Sequence, residues 1–372
     1  MISLPAWPIA TARESELLAQ VLASPQWGGF HPMVGEFEKQ FAVYQGCTYG
    51  VSAVNGTVTL EMMLACAGIQ PGDEVIVPAI SFVSTATAVT RVGAVPVFVD
   101  IEPYSFNMDP LQVAAAISAK TRAVLAVHFG GALADVDALA ALCAERGLLF
   151  FEDAAHAHGS EWKGKRAGSF GLASSFSFQN GKVMTAGEGG IVLTSDEALA
   201  ARMRSYANQG RRPGFSFFHH FEAGNNYRIT ALQAAVLTAQ LERLDSQIAL
   251  RERNWRVFLE EYGDARGVTW QHVPEQVNRN SNYLVLGRVD GDRDAFCARV
   301  QAEGIPCTPF YPHTLYGNPL YTSGDAPCRV MPCPNAEACI RDAFWIGFRA
   351  LMGDSEMTRA VARVVLGRGV DS

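Results

Sequence analysis

Lys182 lies in the segment Phe176–Gly190, FSFQNGKVMTAGEGG, a turn of small and polar residues between two apolar runs of strand length. A lysine in such a turn suits Schiff-base chemistry, because its neutral amine can reach an aldehyde carbon and then swing back as a base. An isolated loop lysine is ordinarily a solvated one, so the weight rests on the groups that accompany it. Asp153 comes directly after the apolar run Leu148–Glu152, which puts its carboxylate at the carboxyl end of a buried strand. An acid there either caps a turn or faces a cation, and a protonated pyridine nitrogen is such a cation. His156 and His158 follow in EDAAHAHG. With Asp153 they could ligate a divalent ion, but no second carboxylate or cysteine completes a familiar ligand set.

Asn55-Gly56-Thr57 opens a helix-like run, Val58–Gly68. Backbone amides at a helix N-terminus, a glycine that permits close approach and a threonine hydroxyl make an anion site, although the same tripeptide serves as a plain helix cap. Ser177, on the strand before the lysine, adds a hydroxyl. Phe82, after EVIVPAI, can stack on a flat ring or simply fill the core. In chain order these are an anion site, an aromatic, a strand-end acid, a serine and a lysine, the inventory that a pyridoxal phosphate (PLP) pocket requires.

The elements that must position them read as a mostly parallel α/β sheet. Glu74–Pro78, Val95–Val99, Arg122–His128 and Leu148–Glu152 are short continuous apolar runs, the pattern of strands buried on both faces. Helical patterns alternate with them at Val83–Val92 and at Asp135–Arg146, the latter with Asp135 as N-cap and Gly147 past its end. Ile191–Thr194 predicts a further strand, Asp196–Tyr206 a helix, and about Thr230–Tyr262 a long helix. Such sheets bind ligands beyond the carboxyl ends of their strands. The expected division is an arm over residues 1–25, with a helix near Arg13–Ala23, that packs on the small domain; a large PLP-binding domain over 26–244; and a smaller α+β domain over 245–372.

With 372 residues, 49% hydrophobic and 18% charged, the chain is long enough for about two domains. A net charge of -7 without a basic block argues against nucleic acid as the main partner. The N-terminus lacks the pattern of a signal peptide and no apolar stretch reaches membrane-spanning length, so the expected location is the cytoplasm. The eight cysteines include no CxxC pair and read as free thiols; Cys328, Cys333 and Cys339 cluster at spacings unsuited to zinc.

The chain resembles the DegT/DnrJ/EryC1/StrS family of PLP-dependent sugar and cyclitol aminotransferases of fold type I. The motifs that carry the resemblance are NGT at 55–57, PGDEVIVPAISFVSTATAV at 71–89, FEDAAHAHGS at 151–160, GKRAGSFG at 164–171, the lysine segment and GNNYRITALQAA at 224–235. The resemblance implies Lys182 as the Schiff-base lysine and proton carrier, Asp153 on the pyridine nitrogen, and His156 near the ring's phenolic oxygen. It also implies Phe82 stacked on the ring and Gly56, Thr57 and Ser177 on the phosphate. Asn226 matches an asparagine that reaches the phosphate of a neighbouring subunit, which implies a homodimer with shared active sites.

Where many sugar aminotransferases carry His-Pro-Thr or Tyr-Pro-Thr before the lysine, this chain has Gln179-Asn180-Gly181. That version, with LPAWP at 4–8 and SPQW at 24–27, is similar to the branch of scyllo-inosose aminotransferases and 3-amino-5-hydroxybenzoate synthases. Gln179, Tyr311 and His313 are then substrate-side candidates, while Arg211, Arg212, His219 and His220 lie in a loop that grips an anion or faces water. The activity implied is ping-pong transfer of an amino group from glutamine or glutamate to a keto-sugar or keto-cyclitol. The alternatives are a PLP lyase of the aminohydroxybenzoate synthase type and a regulatory protein that keeps the fold.

Overall fold

Alternate residues of the central strands bury on opposite faces, and this sets the architecture of the larger part of the chain. Ile76, Val97, Val124 and Ala126 enter one apolar cluster, whereas Val75, Val77, Phe98, Ala123 and Leu125 enter another. Side chains alternate at a period of two, so a strand covered on both faces reads as an unbroken apolar run. The computed structural model describes residues 1–368. Its main sheet has eight strands in the order Tyr49–Ala53, Gly190–Thr194, Ala173–Ser177, Leu149–Asp153, Thr121–Val127, Glu74–Pro78, Val95–Val99 and Arg329–Val330. Neighbours from Ala173–Ser177 to Arg329–Val330 are parallel, and Gly190–Thr194 runs antiparallel to both strands beside it. The mostly parallel α/β sheet expected from the sequence forms.

Side-chain caps set where the helices start. Asn55 accepts from the Val58 N–H and opens Gly56–Cys66; Asp135 accepts from Ala138 and opens Val136–Arg146, which Gly147 ends at φ 63°. Asp196 caps Glu197–Ala207, and Thr230 with Gln233 forms a capping box on Ala231–Tyr262. The helix expected over Val83–Val92 spans Ser84–Arg91. One boundary difference touches chemistry: the strand expected to stop at Glu152 runs Leu149–Asp153. The Asp153 carbonyl accepts from the His128 N–H at 3.1 Å, which carries the ladder through that residue.

The helix Ala231–Tyr262, 32 residues long, belongs to two cores. Ala234, Leu237, Leu244 and Ile248 join the cluster on the main sheet, while Phe258 and Tyr262 join a cluster with Val285, Phe344 and Ile346. That second cluster lines an antiparallel sheet of Val268–Trp270, Leu284–Val289, Ala343–Gly347 and Cys307–Pro309. The C-terminal region is less separate than a cut at residue 245 suggests. Leu315 and Tyr321 pack into the main-sheet core, and Arg329–Val330 pairs with Val97–Phe98 because Phe98 offers its ring to Tyr316 and Tyr321. The arm also divides. Ile2 and Leu4 pack with the smaller sheet's cluster, whereas the helix Ala12–Ala23 packs through Leu17 and Val21 on Ala231, Ala235 and Ala239 of the long helix.

Candidate active site

A parallel sheet gathers several strand ends at one edge. Here that edge carries Ser177, Asp153, the turn Phe129–Gly131 and the segment from Ser81 to Thr85, which leads into the helix Ser84–Arg91. Asp153 is buried. Its Oδ2 accepts from the Thr85 hydroxyl at 2.8 Å and its Oδ1 from the Ala155 N–H at 3.3 Å. Since that Thr85 proton is committed, the Ser81 hydroxyl 2.7 Å away donates to Thr85. Burial raises the Asp153 carboxyl above its ordinary value, against the pull of these hydrogen bonds and of Lys182. A buried acid with only two donors has capacity left for a cationic N–H.

Lys182 closes a tight turn in which its own N–H donates to the Gln179 carbonyl at 2.9 Å. Its Nζ lies 4.7 Å from the centre of the Tyr283 ring, and His156 packs on the same tyrosine with centroids 4.4 Å apart. Burial pushes the ammonium down to about 8, opposed by the charge of Asp153. Burial, and then the Lys182 and His158 charges, hold His156 well below its ordinary value and therefore neutral. Its Nδ1 accepts from the Gly130 N–H at 3.3 Å, which leaves the ring proton on Nε2 as a donor. His158 is pushed down to about 3, chiefly by burial, and its Nε2–H donates to the Ser177 carbonyl at 2.9 Å. The two histidines thus serve different partners. No group of three or more His, Cys, Asp or Glu able to hold a metal occurs among the described residues.

The anion candidate is assembled by strand register. Ala53, Gly190 and Ser177 stand side by side, and the helix from Gly56 begins just beyond them. A Cβ on Gly56 would fall 2.7 Å from the Ser177 Cβ, so only glycine permits this approach. Thr57 Oγ1 lies 2.7 Å from Ser84 Oγ, which ties the tripeptide to the start of the helix Ser84–Arg91. Phe82 is 59% exposed beside this edge, an unusual surplus of apolar surface.

Other sequence candidates fall elsewhere. Gln179 is exposed, and its Oε1 accepts from the Gly181 N–H at 2.7 Å, so its carbonyl shapes the turn. Tyr311 does face the site: burial, Tyr283 and Asp153 raise its phenol, and its ring packs among Phe129, Phe310 and Trp345. His313 turns to its own loop, with Nδ1 3.2 Å from the Thr314 carbonyl. Asn226 is exposed and bridges by backbone to Asn208. Arg211, Arg212, Phe215 and Phe217 line a surface cavity of about 330 Å³ with Phe30 and Arg204, while His220 Nδ1 donates to the Gln209 carbonyl at 2.8 Å. Thr85, Ser81 and Tyr283 were not anticipated. The i, i+4 spacing of Ser81 and Thr85 was the available signal for that pair, whereas Tyr283 lies more than a hundred residues beyond Asp153 without a local pattern.

The profile of the DegT/DnrJ/EryC1/StrS aminotransferase family matches residues 8–365. The chain belongs to this family. A 3-amino-5-hydroxybenzoate synthase from Amycolatopsis mediterranei (strain S699) is 37% identical, over 97% of this chain and 96% of that protein. A putative L-glutamine:3-amino-2,3-dideoxy-scyllo-inosose aminotransferase from Micromonospora echinospora is 37% identical, over 83% of this chain and 77% of its own length. A crystal structure of 3-amino-5-hydroxybenzoic acid synthase superposes with a TM-score of 0.93 at 35% identity, with 98% of each chain covered. As a DegT/DnrJ/EryC1/StrS member the protein is a PLP-dependent enzyme of the sugar and cyclitol aminotransferase class, with the α/β fold of those enzymes. The residues present fit the cofactor: a buried acid with acceptor capacity to spare, a half-buried amine lowered to about 8, and a helix N-terminus at Gly56 that closes on Ser177 too tightly for any Cβ.

Proposed function

We propose that the protein moves an amino group from glutamine or glutamate to the ring ketone of a keto-cyclitol or keto-sugar, in two half reactions, with Lys182 as the proton carrier. The observation that carries this reading is the Lys182 Nζ held 4.7 Å from the Tyr283 ring, on which His156 also packs, with the buried Asp153 close enough for its charge to act on the amine. In this reading Asp153, steadied by Thr85, keeps the pyridine nitrogen protonated, and His156 offers its Nε2–H to the phenolic oxygen. Gly56, Thr57 and Ser177 take the phosphate, and Phe82 covers a ring face. When bound, PLP supplies the electron sink for breaking a Cα–H bond. Lys182 takes that proton as a neutral amine, abundant near pH 8, and returns one to the acceptor's ring carbon in the second half reaction. The phenol of Tyr311 and the ring of Trp345 form a wall suited to a cyclic substrate. Asn226, exposed in a single chain, reaches the phosphate site of a second copy, so the working unit is a homodimer. No helix among the described residues is long and apolar enough to cross a membrane, and the enzyme is proposed to act in the cytoplasm.

A second reading is favoured by coverage: the resemblance to the 3-amino-5-hydroxybenzoate synthase extends over 97% of the chain. There Lys182 removes a ring proton from an aminodehydroshikimate-type substrate, hydroxide leaves as water, and the ring becomes aromatic. Incubation with scyllo-inosose and glutamine labelled with nitrogen-15 at the α-amino group separates the two. Label in an aminocyclitol supports transfer. Growth of aromatic absorbance from aminodehydroshikimate, without consumption of glutamine and without label transfer, replaces it with the lyase.

A further inference from the structure

The motif LPAWP at residues 4–8 has no part in the chemistry assigned above, yet it lies against the lysine turn. Trp7 Nε1–H donates to the Asn180 carbonyl at 3.1 Å. The Trp7 ring meets Phe348 edge-on with centroids 4.8 Å apart, and Phe348 stacks on Tyr283 at 6.2 Å. Tyr283 is the ring that carries the Lys182 Nζ and packs against His156. Trp7 therefore touches both the turn that presents the amine and the aromatic stack on which the amine rests.

The other bonds of the turn are local: Lys182 N–H to the Gln179 carbonyl, and Gly181 N–H to Gln179 Oε1. Local bonds fix the shape of a turn, not its place against the rest of the fold. From Gln179 to Val183, the Trp7 bond is the one hydrogen bond supplied from a distant part of the chain among the described residues. The segment that supplies it is anchored to the smaller sheet's side of the molecule. Arg349 Nε donates to the Pro5 carbonyl at 2.8 Å, and the Ile2 N–H donates to the Glu303 carbonyl at 2.7 Å.

We infer that Trp7 is a positioning residue for the reaction: it holds the lysine turn against the Phe348–Tyr283 stack and so keeps the Lys182 amine at its reacting place. This rests on Lys182 being the reactive amine. The titratable groups that face Lys182 are Asp153, His156, His158 and Tyr283, and Trp7 brings no charge of its own. Loosening the turn therefore acts on the amine through its exposure to water.

The test compares wild type with Trp7→Phe, which keeps a ring and loses the N–H, and Trp7→Ala, which loses both. In cofactor-free protein, modification of Lys182 by a small amine-reactive reagent is followed against pH by peptide mass spectrometry. In loaded protein, kcat and KM are measured with glutamine, and melting is recorded for every variant. Trp7→Ala is expected to move the Lys182 midpoint upward from about 8 toward 10.5. Its kcat should fall about 10- to 100-fold, the effect of a reacting group misplaced by about 1 Å, with KM for glutamine changed by less than about threefold. Trp7→Phe should lose about fivefold in kcat, the worth of one neutral hydrogen bond. An unmoved midpoint with wild-type kcat in the variants overturns the inference, as does lowered melting with neither change. If Trp7→Ala does not fold, Trp7→Phe decides alone: wild-type kcat and midpoint overturn it. Borohydride fixation of bound PLP keeps the two readings apart. No tag on the Lys182 peptide removes the reading of the site, whereas a tag there with unmoved Trp7 variants removes only the role of Trp7.

Discussion

Thr85→Val keeps the branched shape of a fully buried side chain and deletes the hydroxyl that donates to Asp153 at 2.8 Å. A hydrogen bond to a charged group is worth about 1.5–3 kcal/mol, more than the same bond to a neutral one, so without it the Asp153 carboxyl should rise further above its ordinary value. The sign for stability follows from the direction. Burial already raises this acid above its ordinary 3.8, so in the window above 3.8 the folded chain binds more protons than the unfolded one. Stability is then lost as pH rises through that window. Without the Thr85 donor the window extends upward. The cofactor-free variant should lose about 1.5–3 kcal/mol at pH 8, but only about 0.5–1.5 kcal/mol at pH 3.5, where the lost bond is a neutral one. PLP affinity should fall roughly tenfold, because a less readily ionised Asp153 pairs less well with a pyridinium nitrogen. Urea unfolding at the two pH values and PLP titration of the cofactor-free protein measure both effects. An equal loss at both pH values together with wild-type PLP affinity would refute the reasoning and leave Thr85 a packing residue.

Gly56→Ala would drive a Cβ to 2.7 Å from the Ser177 Cβ; calorimetry should show about 1–3 kcal/mol of overpacking loss, with weaker PLP binding, and an unperturbed melt would show that the two elements do not approach as closely as described. Phe82→Ala removes a side chain that is 59% exposed, so cofactor-free stability should change by less than about 0.5 kcal/mol. The PLP dissociation constant, read by absorbance titration, should nonetheless rise about fivefold from loss of a stacking contact worth about 1 kcal/mol; unchanged affinity would remove Phe82 from the cofactor site. For Lys182→Met the sign is opposite to that of Asp153: the folded ammonium is lowered from 10.5 to about 8, so its burial cost is full below pH 8 and relieved as pH rises to 10.5. The cofactor-free variant should melt above wild type at pH 7, with the gap narrowing toward pH 10.5; a gap constant with pH would mean that the amine is not held below its ordinary value.

What the sequence disclosed, and what it hid, follows from how local each signal is. Asp153, Ser177 and Gly56 were legible because each adjoins a strand whose apolar run marks it as buried, and a parallel sheet brings such ends to one edge. The apolar run ends one residue before the Asp153 strand does, since the pairing that extends the ladder comes from Val127 and from the His128 N–H just past the neighbouring strand. Thr85 hid within SFVSTATAV, where a hydroxyl on a helix has no distinguishing pattern until the acid it meets is known. Tyr283 depends wholly on tertiary packing against His156 and Lys182. Gln179 was legible as a turn residue but not as one whose Oε1 accepts from Gly181. The return of residues 314–331 to the main sheet was invisible because a two-residue strand carries no periodicity, and its placement is set by the rings of Tyr316 and Tyr321 on Phe98.

Amino transfer through Lys182 is tested most directly by the visible absorbance of the PLP-loaded protein on addition of L-glutamine alone, with loaded Lys182→Ala alongside. The wild-type visible band should give way to ultraviolet absorbance as the cofactor takes the amino group and one 2-keto acid is released per site, and the variant should show no such conversion. A wild-type band that persists with both glutamine and glutamate would contradict amino transfer from either donor.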